Sequence, residues 1–110
     1  MAWIPTLSQL GQQRQIQLEK ERTIDHLLQE KRDECPQKII EYFSRIRSLH
    51  RHMTERLYEA PFYEYPSRMK EYMLIIDKLQ NPLLKKARPN ICNALDETIE
   101  QIKLENNKIY

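Results

Sequence analysis

The sequence predicts an all-α fold, an elongated bundle of about four helices led by a long N-terminal helix. Three observations carry this. The 110 residues include one glycine and no valine, while Leu, Glu, Gln, Lys and Arg, which lose little rotamer freedom in a helix, are abundant. Apolar residues recur at alternating spacings of four and three, the coiled-coil-like stripe that buries one side of a helix. Most of the prolines fall where helices start or stop. With 40% apolar residues, 31% charged residues and a net charge of +2, the chain lies outside the weakly apolar, highly charged range of disordered chains. It is long enough to bury a core as a single domain, residues 1–110.

The first helix is predicted over residues 7–34. Thr6 serves as its N-cap with Gln9 at the third helical position. At 1.5 Å per residue it would run about 40 Å, more than the ~30 Å diameter of a small compact domain, so the molecule should be elongated. Its apolar face is poor. Leu7, Leu10, Leu18, Ile24 and Leu28 share one broad side, Arg14, Gln17, Glu21 and Asp25 interrupt it, and Ile16 and Leu27 point elsewhere. Two sparse faces on a long helix predict burial against a second chain or another protein, a homodimer being the simplest form.

The second helix, 36–59, is cleaner. Ile39, Phe43, Ile46, His50, Met53 and Leu57 form its stripe, Pro36 suits the first helical turn, and Pro61 follows its end. Pro36 leaves either a tight hairpin or one kinked helix. A proline-bracketed connection, residues 60–66, leads to a third helix at 67–80, capped by Ser67 and carrying Met69, Tyr72, Met73, Ile76 and Leu79. Leu74 and Ile75 make it apolar almost all round, so it is expected to be the most buried element. Asn81-Pro82 and Arg88-Pro89-Asn90 each break the chain, leaving a short turn at 83–87 and a last helix at 89–108 whose stripe is Cys92, Leu95, Ile99, Ile102 and Ile109.

Several function classes are excluded. The longest apolar run is Met73 to Ile76, far short of a membrane span, and no export signal opens the chain, so a soluble, cytoplasmic protein is expected. Cys35 and Cys92 are far apart, with no CxxC and no histidine at ligand spacing, and are expected as free buried thiols in a reducing compartment. His50 and His52, two apart on a helix, face different directions and form no chelating pair. Neither metal nor cofactor is expected. No glycine-rich phosphate loop and no nucleophile elbow occurs, and the row Ser48, His52, Glu55 has no oxyanion hole, so the chain is read as non-enzymatic.

Two constellations remain. Five of the nine aromatic residues, Tyr58, Phe62, Tyr63, Tyr65 and Tyr72, fall within fifteen positions. They either fold back to plug the end of the bundle or anchor a protein partner, tyrosine giving large apolar area at low entropy cost. The second is basic. Lys38, Arg45, His52 and Arg56 line one side of the second helix, and Lys85, Lys86 and Arg88 form a knot. The expected function is a non-catalytic protein–protein interaction module, an adaptor, inhibitor or assembly factor, contacting its partner through Leu10, Leu18, Leu27, Phe62, Tyr63 and Tyr65. The alternative is a nucleic-acid accessory protein whose Lys38, Arg45, Arg56, Lys85, Lys86 and Arg88 hold phosphates without reading sequence.

Overall fold

A computed structural model of the chain describes residues 7–109, apart from the side chains of residue 7 and of residues 86–89. Thr6, the expected cap, and the side chains of Leu7, Lys86 and Arg88 lie outside the described residues. Helix α1 is Leu7–Glu30, α2 is Pro36–Glu59, a single 3-10 turn is Phe62–Glu64, and α3 is Tyr65–Ile109. There is no strand among the described residues. The bundle measures 45 × 28 × 21 Å, so the elongated shape holds.

α1 stops four residues earlier than the sequence suggests. Two short turns follow it, closed by the amides of Arg32 and Glu34 donating to the carbonyls of Gln29 and Lys31 at 3.4 and 3.0 Å. These turns resolve the question at Pro36 in favour of a hairpin. Arg14 and Gln17 face the far end of α2, whereas Glu21 and Asp25 face Tyr42 to His50, so the two helices run antiparallel.

α3 is broken at Asn90, whose φ of −159° and ψ of 80° are not helical. The arms, residues 65–89 (α3a) and 91–109 (α3b), fold back on each other, with Leu79 beside Thr98 and Lys70 beside Glu105. Asn90 restarts the helix as an N-cap, its Oδ1 accepting from the Asn93 amide at 3.3 Å. The break expected at Asn81-Pro82 does not occur, and neither does a separate turn at 83–87, because the helix runs straight through. Pro82 forfeits one backbone hydrogen bond, but Leu79 and Leu83 on either side are both buried, and that burial outweighs the loss. The helix also begins earlier than Ser67, with Pro66 in its first turn.

Ile24, Leu28, Ile39, Tyr42, Ile46, Leu49, Met53, Ile76, Leu79, Leu83, Ile91, Leu95, Ile99 and Ile102 make one core. α2 sits between two neighbours, which widens its buried face. Tyr42 and Leu49, outside the expected stripe, are fully buried, while Phe43, His50 and Leu57 are half-buried beside α1. α3a is not the most buried element, since Leu74 is exposed and α3b carries the longer run of buried positions. Cys35 and Cys92 are not free. They form a disulfide with Cα atoms 5.9 Å apart, because the start of α2 and the start of α3b meet at one end of the bundle. This pairing removes the reason for assigning a reducing compartment. No described helix is long and apolar enough to cross a membrane.

Candidate functional site

The connection between α2 and α3 is short and rigid. The Ala60 amide donates to the carbonyls of Arg56 and Leu57 at 3.1 and 3.3 Å, ending α2, and the Glu64 amide donates to the Pro61 carbonyl at 2.9 Å, closing the 3-10 turn. Pro61 and Pro66 fix φ at both ends, and Arg68 Nη2 donates to Glu64 at 3.3 Å. On this frame Phe62 is 94% exposed, Tyr58 85% and Tyr63 78%, with Tyr65 at 37%. The plug reading therefore fails, since the loop turns its aromatic residues outward. An aromatic side chain offers about 150–250 Å² of area, and Tyr58 at the end of α2 with Phe62 and Tyr63 on the 3-10 turn leaves three of them exposed within six positions of the chain.

The α1 contact residues fare differently. Leu10 is only 4% exposed, so the chain itself covers it, and Leu27 is half-buried against the core. Leu18 is half-buried. The physical reason is that α1 packs along α3a, as the ion pair between Lys20 and Asp77 records, and so already has a surface to bury against. A second chain is not needed for that purpose. Among the described residues of α1, the exposed large apolar side chain is Ile16.

The basic stripe is largely engaged. Lys38 meets Asp96 at 2.7 Å, Arg45 meets Glu41 at 3.0 Å, and Arg56 meets Glu59 at 3.1 Å while also donating to the Ile109 carbonyl. The Arg45 and Arg56 pairs lie within α2 and the Lys38 pair joins α2 to α3b, the ordinary state of a solvated helix face. Lys85 is exposed. His52, expected on this stripe, is instead buried, with Nδ1 2.9 Å from Asn106 Oδ1, which separates it from any row with Ser48 and Glu55.

Sequence reasoning missed a cleft between α1 and α2. Both helices pack closely on α3 and much less on each other. Two cavities lie in the gap and meet at His50. One, of about 210 Å³, is walled by Met53, Met69 and Met73 with Arg14 and Gln17. The other, of about 240 Å³, is lined by Glu21 and Asp25 of α1, Tyr42, Phe43 and Arg47 of α2, and Gln80 of α3a. The signal was present in the sequence, because Arg14, Gln17, Glu21 and Asp25 are the residues that interrupt the apolar face of α1.

Burial shapes the electrostatics of this cleft. Desolvation, reinforced by the nearby charge of Arg14, lowers the His50 pKa below the usual imidazole value, and its Nε2 lies 3.8 Å from Glu21 Oε1. Glu21 and Asp25 are both raised, chiefly by burial. The Tyr42 hydroxyl is pushed up to about 12, again by burial, against a side-chain hydrogen bond with Gln80. Among the described residues no cluster of three or more His, Cys, Asp and Glu side chains could hold a metal ion. Compared with family models, with curated proteins and with solved structures, the chain finds no match in any of the three.

Proposed function

We propose that the protein is a non-catalytic interaction module that binds a larger protein through the turn joining α2 to α3. The observation that carries this reading is the outward presentation of Phe62 and Tyr63 on a proline-bracketed 3-10 turn, with exposed Tyr58 at the adjoining end of α2. Large apolar side chains held in one geometry before binding lose little entropy on contact, which is what makes an aromatic anchor effective. The bundle is then a scaffold, and α1 contributes by holding the bundle together and not by gripping the partner. Leu10 accordingly leaves the contact set, and Tyr58 joins Phe62, Tyr63 and Tyr65.

Capture from a lysate of the native source, using tagged wild-type chain and the double variant Phe62→Ala/Tyr63→Ala, tests this. A discrete protein that survives nuclease treatment and is lost with the double variant supports the module. Retention of that protein by the double variant overturns it. Binding that disappears with nuclease and falls steeply with salt would transfer the function to phosphate contacts at the basic residues.

A further inference from the structure

The methionine-walled cavity of the cleft, about 210 Å³, lies where α1, α2 and α3a meet. Its wall is apolar, with Met53 and Ile76 buried and Leu57, Met69 and Met73 half-buried. Methionine side chains are unbranched and polarizable, so such a wall adapts its shape to what enters. The polar groups are few and of one sign. Among the described residues no carboxylate lines the cavity, and its single formal charge is Arg14. Arg14 is exposed and has no carboxylate within 4 Å among the described residues. Glu21, which lines the neighbouring cavity, feels the Arg14 charge from farther off. His50, its pKa lowered, is neutral at neutral pH, and the Thr54 hydroxyl already donates to the His50 carbonyl at 2.9 Å. A mostly apolar cavity with one charged group at its edge has the ordinary make-up of a small-molecule site.

We propose that this cavity binds a short-chain alkyl carboxylate, its chain lying among Met53, Met69 and Met73 and its carboxylate on the Arg14 guanidinium. The guanidinium presents paired N–H donors that match the two carboxylate oxygens, and one cation balances one negative charge. A phosphate monoester would set about −1.5 to −2 charges against the same single cation. A primary ammonium would be repelled by Arg14, and an alcohol would leave it without a counter-charge. At about 210 Å³ the cavity admits about seven water-sized units of roughly 30 Å³, so a six-carbon chain fills it with the carboxylate at the mouth. Tyr58 and Tyr65 also line this cavity, which makes it a neighbour of the docking turn.

The test is a titration of the full-length oxidised chain with hexanoate, followed by NMR of the methionine methyl groups. A ligand of this size is expected to bind with a Kd on the order of 1 mM. Saturable shifts should appear at Met53, Met69 and Met73. Hexanol and n-hexylammonium should each bind about fivefold more weakly or worse, the loss of one charge-assisted contact. Arg14→Gln, checked for its fold by circular dichroism, should weaken hexanoate to the same extent. Met69→Trp, which fills the cavity from a half-buried position, should abolish binding. Shifts confined to other regions, hexanol or hexylammonium binding as tightly as hexanoate, or undiminished binding by Arg14→Gln would each overturn the proposal. So would absence of saturation by about 20 mM, well above the expected Kd. Methionine shifts that change with protein concentration alone would put a second copy in the cavity and overturn it too. Phe62→Ala/Tyr63→Ala should bind hexanoate as wild type does, and loss of binding there would make the cavity part of the docking turn, so the two sites succeed or fail separately.

Discussion

Removal of the Cys35–Cys92 disulfide should cost the fold more than any single surface change. The two cysteines are separated by 57 positions and join the start of α2 to the start of α3b, so the bridge closes about half of the chain into one loop. In the chain-entropy relation, closure of a loop of 57 residues is worth about 4 kcal/mol at 25 °C, most of it through restriction of the unfolded ensemble. For a 110-residue chain with an unfolding entropy of about 0.23 kcal/mol/K, that corresponds to a fall in Tm of roughly 15–20 °C. The perturbation is Cys35→Ala/Cys92→Ala. Alanine is chosen because Cys35 occupies the N-cap position of α2, where serine would add a capping bond of its own. Thermal and urea unfolding followed by circular dichroism, with and without reductant, should give the same large loss for the reduced wild type and the double variant. Stabilities of the oxidised wild type and the double variant agreeing within about 0.5 kcal/mol, or alkylation of both cysteines without reductant, would refute the reasoning.

The continuous α3a makes a further prediction. Pro82→Ala restores a backbone donor inside a helix and should stabilise the protein by about 1–3 kcal/mol, whereas a neutral or destabilising change in the urea midpoint would mean that the chain breaks there. The pH dependence follows from His50, whose folded pKa lies below the usual imidazole value of 6.5. The unfolded chain therefore takes up more protons, and stability should fall as the pH drops below about 6.5. His50→Asn should flatten that slope, and an unchanged slope would exclude His50 as its source. Glu21 and Asp25, with raised pKa values, act in the opposite sense, since their protonation favours the fold. Their contribution is fully present below the ordinary carboxyl values of 4.5 and 3.8 and is lost as the pH rises through their folded values. Glu21→Gln/Asp25→Asn should accordingly weaken the gain in urea midpoint seen on acidification in that range.

The helical class and the starts of α1 and α2 were legible because they depend on local chemistry. Missing β-branched valines, a proline at an N-terminus and a 4-3 stripe act within a few residues of one another. What depended on neighbours was not legible. Pro82 reads as a helix breaker until the burial of Leu79 and Leu83 is known. Cys35 and Cys92 read as separate thiols because their approach is set by the fold-back at Asn90, which no local pattern encodes. Phe62 and Tyr63 stood out as an aromatic cluster, but whether they faced in or out depended on how closely the turn was tied by Pro61, Glu64 and Pro66. The polar interruptions of α1 were visible, yet they read as flaws in a stripe and not as the lining of a cleft, since the gap between α1 and α2 exists only after both have packed on α3.

The central claim is that the aromatic turn is presented for binding and contributes nothing to the core. Urea unfolding of Phe62→Ala/Tyr63→Ala against wild type tests it most directly. Both side chains are more than three-quarters exposed, so the account predicts a change within about 0.5 kcal/mol, as for surface substitutions elsewhere. A loss of about 3 kcal/mol or more, the cost of truncating buried aromatic residues, would contradict it and return these residues to the core.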